Sequence, residues 1–324
     1  MTASEPTNQA SSSFETVSDI ERSRKDRYSD WLSANVATPM KILLSDRRGR
    51  AGLSILALYL LMGTIGVSLV PEPENTGPVL YPAFQSLEYP LGTNRYGADI
   101  LAQIVHATPG MLQMMLGGAV FSMTVAIAVG TLSGYAGGRI DSILMTVTDS
   151  VIAIPALPLI IVLSIVFTPR DPFVVGVVIS IPAWAGLARS LRSEVLSLRE
   201  ESFIEASRIV GLSTSTILLR EIIPNLMPYI VINTVNAARG VIFGSIGLYF
   251  LGILPQTFPN WGLMMQRAYN AGSLYTWETA HWLILPMAAV VVLSYGLIML
   301  GQAADKIFNP RLKARHIHPT QEEN

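Results

Sequence analysis

The chain has 324 residues, of which 50% are hydrophobic and only 14% charged, with a mean hydropathy of +0.44. Soluble proteins carry about 25% charged residues, so this composition describes a membrane protein. A formal net charge of −1 excludes a generally basic nucleic-acid binder, and the complete lack of Cys excludes disulfides, thiol catalysis and thiolate metal sites.

Residues 1 to 20 are rich in Ser, Thr and Glu with little to bury, so disorder is expected there. The first 50 residues hold no apolar stretch of the kind that opens a signal peptide, and the N-terminus is expected to be retained. Lys and Arg accumulate from Glu21 to Arg50, and apolar residues from Trp31 to Leu44 recur at loosely helical spacing. Two readings stay open for that stretch, an interfacial helix and a solvated charge run.

Six apolar runs follow, each long enough to cross a bilayer core of about 30 Å once tilt or thinning is allowed. They are Leu53 to Val70, Met111 to Ser133, Ser142 to Phe167, Pro172 to Ala188, Tyr229 to Leu254 and Trp282 to Gly301. Between the first two lies a long polar connection, 71 to 109, in which Ile100, Leu101, Ile104 and Val105 predict a short surface helix. The second run ends in Gly130, Gly134 and Gly138, a small-residue ridge suited to close helix packing.

The third run carries Asp149, Pro155 and Pro158. An ionisable group in a span is a functional candidate, but Asp149 lies only about 12 Å along a helix from Asp141. A headgroup-level position with a partner on another helix is therefore expected. The fourth run should kink at Pro182, and the fifth holds Asn233, Asn236, Arg239 and the pair Gly240 and Gly244. Arg239 admits two readings, a polar pathway or a pairing with another subunit. The loop 255 to 281 is rich in Pro and aromatics, and Trp261, Trp277 and Trp282 suit a membrane interface.

An even number of spans puts both termini on one side. On that side lie eight Lys/Arg before the first run, Arg139, five in the segment 189 to 228 and four in the tail, against Arg95, Arg170 and Arg267 opposite. Cytosolic loops carry the excess of Lys and Arg, so both termini and the 189 to 228 segment are expected in the cytosol. The domain division expected is a cytoplasmic segment 1 to 50, a six-span domain 51 to 305 and a tail 306 to 324.

Within 189 to 228 stands EASRIVGLSTSTILLREIIPNLMP, from Glu205 to Pro228. Ser202 followed by Glu205 reads as a capping box that starts a helix at Phe203. Gly211 should end it, Ser213 should cap a second helix, and Pro224 should stop that one. A helix, glycine, helix module with no catalytic side chains is a docking surface. No GxxxxGK[ST], HExxH, GxSxG or paired-His spacing occurs anywhere, so any energy source is an ion gradient or a separate ATPase. His316 and His318, in the tail, read as solvated rather than metal-binding.

The module resembles the EAA loop of binding-protein-dependent ABC importer permeases. Glu205-Ala206-Ser207, Gly211 four residues on and Ile222-Ile223-Pro224 fall in the register of that loop. YPLGTNRYGADILAQI resembles the HPLGTDxxGRD signature of the dipeptide/oligopeptide branch, GYAGGRID resembles its turn between spans 2 and 3, and YFLGIL with PNWGLMM resembles its FLGLG and SWG pair. The likeness runs from about residue 50 to 312 and is to the second, C-type membrane subunit. Ser207 stands at the second Ala of EAA, Asn94 and Ala98 replace the usual Asp and Arg, and Ser245, five residues before Phe250, stands where many relatives carry Glu.

The resemblance implies an all-α polytopic fold, the type I ABC importer permease fold, with a cytoplasmic coupling loop in the inner membrane of a prokaryote. It implies a second homologous permease subunit, two cytosolic ABC ATPase subunits and an extracytoplasmic solute-binding protein as partners, with the bilayer around it, no nucleic acid, no cofactor and ATP hydrolysis elsewhere. Coupling would fall to Glu205, Ala206, Ser207, Gly211, Ile223 and Pro224. Asn233, Asn236, Arg239 and Ser245 are the pathway candidates. Peptides are the family default, while nickel, opines and oligosaccharides use the same architecture. A gradient-driven carrier or channel and a non-transporting assembly subunit are the rival readings.

Overall fold

The computed structural model describes residues 38–308, with side chains from residue 40 to residue 304. The expectations for residues 1 to 37 and for the end of the tail lie outside the described residues. The described residues from Leu43 onward belong to one compact unit. Their regular elements are all helices, the only bridge among the described residues being Thr93 with Asp99.

A short helix, α1 (Thr38–Ser45), precedes the first span. Asp46 caps α2 (Arg47–Leu69), its carboxylate accepting from the Arg48 N–H at 2.8 Å. Asp99 caps α3 (Ile100–Ala136) in the same way through Leu101. Burial pushes the Asp99 carboxyl up, and hydrogen bonds from the Leu101 and Ala102 N–H groups pull it the other way.

With 37 residues, α3 is about 55 Å long and far exceeds a bilayer core. The surface helix expected around Ile100 to Val105 is therefore its first turns. Ile100, Ile104 and Val105 are buried, so their apolar face meets the protein interior and the helix continues through Pro109.

α4 (Gly138–Ala153) and α5 (Ala156–Phe167) make a bent pair, as do α6 (Pro172–Ser180) and α7 (Ala183–Leu198). The bends are 89° and 58°. Pro155 removes an amide donor at the first break and Pro182 at the second. The third span thus bends at Pro155, one of the prolines noted in its sequence, and the kink at Pro182 is as expected. A further short helix, α8 (Ser202–Ile209), leads to α9 (Thr214–Phe250). After it come α10 (Trp261–Asn270) and α11 (His281–Phe308). Among the described residues four helices are long and apolar enough to span a membrane, and six spans result when each bent pair is one.

α3 is the central element, packed against α6, α7 and α9. Glycine makes the α7 contact possible. A Cβ on Gly130 would stand 2.6 Å from the Ala188 carbonyl oxygen, and one on Gly134 2.8 Å from the Val195 Cβ. Gly138 makes no such approach, so the ridge ends one turn earlier than expected. Two ion pairs then tie α4 to α7. Arg192 holds Asp141 in a fork at 2.5 and 2.6 Å, and Arg189 pairs with Asp149, the expected partner from another helix.

The apolar interior has two centres. One gathers Tyr59, Ile104, Met111, Tyr249, Trp261 and Trp282, and the other Leu191, Val195, Ile204, Ile217, Ile222 and Leu226. Trp261 and Trp282 are fully buried, correcting their expected interfacial place, and Trp277 alone of the three is exposed. The reason is α10, an amphipathic helix inside the expected loop, whose Trp261 indole donates to the Ile104 carbonyl at 3.2 Å and meets Tyr59 edge-on.

Candidate functional site

The polar stretch between α7 and α9 folds as a helix, a left-handed glycine and a second helix. The entry differs in detail from the capping box expected. Glu201 occupies the cap position with no side-chain hydrogen bond, and Ser202 is already helical. A capping Ser needs extended backbone, whereas the turn out of α7, closed by the Glu201 N–H on the Leu198 carbonyl, brings the chain into helical geometry one residue early. Ser202 is therefore not positioned to cap, and the Glu205 carboxylate makes no hydrogen bond or ion pair among the described residues, its N–H donating to the Glu201 carbonyl.

The exit is as expected. Gly211 has φ +83°, its N–H donates to Arg208 and the Leu212 N–H donates to Ser207, the two bonds of a Schellman cap. Ser213 then caps α9, accepting from the Thr216 N–H at 3.3 Å. Pro224 does not stop the helix. A π-turn over Leu218–Ile222, with the Ile223 N–H reaching the Leu218 carbonyl, inserts one residue of slack just ahead of the proline. The Asn225 amide donates to the Glu221 carbonyl, and α9 runs on to Phe250.

Ile204 fastens this module from below. It is completely buried among Leu191, Val195, Ile217 and Ile222. Above it, Glu205, Ala206, Gly211 and Pro224 are exposed, Ser207 and Ile223 half-buried. The Ser207 hydroxyl donates back to the Phe203 carbonyl. Ile209 and Val210 stand 80% and 78% exposed, an apolar tip on an otherwise polar segment.

Two arginines that sequence reasoning passed over bind the module to the end of α3. Arg208 lies 5.1 Å over the Tyr135 ring and donates to its hydroxyl, and Arg199 donates to the Gly134 carbonyl at 3.2 Å. The signal was present in Arg208 beside the Glu205 triplet and Tyr135 in GYAGGRID, but only folding brings them together.

The pathway candidates divide. Asn236 is exposed on α9, Asn233 and Arg239 are half-buried, and Gly240 opens onto free space with nothing within 4 Å of a Cβ. Ser245, about 240° round the helix from Arg239, is buried and its hydroxyl donates to the Ile242 carbonyl. At the far end, the loops before α3 and after α9 enclose a cleft of 610 Å³ lined by Asn94, Gln103, Phe258, Asn260 and Arg267. Asn94 shapes its wall, with its side-chain oxygen accepting from the Tyr96 and Ala98 N–H groups. A carboxylate at that position would accept the same two bonds. Among the described residues no group of three or more His, Asp or Glu is placed to hold a metal.

Residues 126–314 match the family of binding-protein-dependent transport system inner membrane components. The chain belongs to this family. It is a multi-pass inner-membrane permease component of an ABC importer. It is 26% identical over 310 residues to the oligopeptide transport system permease protein OppC of Bacillus subtilis, covering 95% of this chain and 98% of that one. The dipeptide transport system permease protein DppC of the same organism is 28% identical, over 84% of each chain. OppC of Lactococcus lactis subsp. cremoris is 30% identical, over 69% of this chain and 76% of that one. Among solved structures, the inward-facing MetNI methionine ABC transporter aligns at a TM-score of 0.46 and 18% identity, over 62% of this chain and 96% of that chain.

Proposed function

We propose that this permease component passes peptides, or a similar small solute, delivered by an extracytoplasmic solute-binding protein. It pairs with a second homologous membrane subunit, and two ATPase subunits on the cytosolic side hydrolyse the ATP. The module at α8 is the coupling surface. The observation that supports this most is its construction, with Ile204 buried beneath while Glu205, Ile209 and Val210 face outward. A surface helix keyed into the interior on one side and apolar on the other suits a partner's groove. The π-turn ahead of Pro224 keeps α9 unbroken from Thr214 through the proline, so a push that the Gly211 turn passes to the start of α9 reaches the span along one helix.

The excess of Lys and Arg in the termini and in 189 to 228 supports a cytosolic place for all three, with the 610 Å³ cleft on the outward side receiving the solute-binding protein. The natural absence of Cys makes orientation measurable, since single cysteines at Ser213 and Ser86 should label from opposite sides of the membrane.

Coupling is tested with Glu205→Gln and Gly211→Val in assembled complexes. Gly211 has free space around it, so Val there adds backbone strain of about 1 kcal/mol or more and little else. Both variants should keep the subunits together and lose transport together with ATPase stimulation by the loaded binding protein. Normal coupling in both would remove the assignment.

A further inference from the structure

Arg239 is a cation within a span that meets no counter-charge among the described residues. It sits within α9, 25 residues past Thr214 and 11 before Phe250, inside an apolar helix. Its Nε is buried without a hydrogen-bond partner, and it makes no ion pair among the described residues. The two acidic side chains of the α4–α5 pair are committed elsewhere, Asp141 to Arg192 and Asp149 to Arg189. An arginine in a span is expensive unless it meets an anion or water, so its partner lies outside the described residues.

The neighbouring face says what kind of anion. Asn236 and Phe243, one turn to either side, are exposed, and Gly240 opens onto empty space. A lipid-facing stripe would be apolar, and a tight helix seam would be small and uncharged. An exposed amide, a guanidinium and a glycine gap instead suit a water-filled passage, where low-dielectric walls strengthen the pull of a fixed cation on a passing anion. A guanidinium is built for the planar oxygen pair of a carboxylate.

We infer that Arg239 recognises a carboxylate on the transported solute, so that the permease favours solutes with a free carboxylate such as the C-terminus of a peptide. This rests on the reading of the chain as a permease for peptide-like solutes. Asn236 flanks the contact, and Gly240 leaves room for the solute backbone.

The experiment uses proteoliposomes holding the full complex, both membrane subunits and the ATPases, fed with solute-binding protein saturated with either trialanine or trialanine amide. The wild-type complex should move the acid faster than the amide. Arg239→Gln should reduce that preference roughly tenfold, the loss of one charge-assisted hydrogen bond, because the binding protein's own preference is common to both complexes. Asn236→Asp, which places a competing carboxylate one turn away while keeping Arg239, should reduce it as well. An unchanged preference in Arg239→Gln overturns the inference, as does an equal loss of acid and amide transport. Dissociation of the second membrane subunit from the Arg239→Gln complex overturns it too, since the arginine is then a subunit contact. A wild-type complex that moves neither solute removes the peptide-permease reading, and the inference falls with it.

Discussion

The two apolar centres of this molecule are built from different materials. The one beside the 610 Å³ cleft is aromatic, with Trp261 and Trp282 fully buried, Tyr59 and Tyr249 close behind, and hydrogen bonds from Trp261 to Ile104 and from Tyr59 to Ala289. The one beneath the α8 module is aliphatic, and its buried members from Met123 to Ile230 include no aromatic ring. Rings with directional bonds, here Trp261 and Tyr59, fix one geometry because each must satisfy both its packing and its donor, while the Trp282 and Tyr249 donors are buried without a partner among the described residues and are held by packing. Aliphatic side chains exchange neighbours at small cost, and the module's polar ties, Arg208 on Tyr135 and Arg199 on Gly134, are at its edge. The aromatic end is a frame. The aliphatic end is held by packing alone, with its polar ties at the rim.

The largest test of this contrast is Trp261→Ala. Emptying a fully buried indole site costs about 3–5 kcal/mol, and three helices, α2, α3 and α10, lose their common contact. Thermal unfolding in detergent should show destabilisation of the whole unit. If only the α10 region loosens, the frame is less unified than the packing implies.

Ile204→Ala should cost less, about 2 kcal/mol or somewhat more, and the loss should stay local. The permease should keep its global unfolding midpoint within a few degrees, while limited proteolysis gains cuts between Arg199 and Ser213 and ATPase coupling falls. A global collapse would erase the distinction between the two centres.

The smallest effect belongs to Asp99, at the start of α3. Its carboxyl is raised by burial, so folding favours the protonated form. The folded state therefore binds more protons than the unfolded chain between the ordinary value of 3.8 and the raised one, and stability falls as pH rises through that window. Asp99→Asn keeps an oxygen for the Leu101 N–H and should flatten that slope. Unfolding followed from pH 4 to pH 7 reads it, and an unchanged slope would place the dependence elsewhere.

Much of the architecture is legible in the chain because hydropathy and helix signals are local. The apolar runs, the kink at Pro182, the glycine end at Gly211 and the cap at Ser213 all follow from a few neighbouring residues. So does the close approach at Gly130 and Gly134, since a repeated glycine at helical spacing has few other uses. The misreadings share a cause. Ile100 to Val105 resembled a surface helix because their partners are distant in sequence. Trp261 and Trp282 read as interfacial because an indole is amphipathic, and which of its two halves governs depends on what α10 packs against.

By itself the sequence determined a multi-span helical membrane protein with a helix, glycine, helix module set between its fourth and fifth apolar runs. Those features depend on composition, on periodicity and on single residues such as Gly211, which takes the left-handed conformation at little cost. Only the folded structure decided that Pro224 lies within a continuous helix, that Ser202 leaves its cap unused, and that Arg239 stands without a counter-charge among the described residues while Asp141 and Asp149 are claimed. The first two turn on hydrogen bonds from Ile223 to Leu218 and from Glu201 to Leu198 that no propensity pattern announces, and the last on which atoms lie within a few ångströms across elements tens of residues apart.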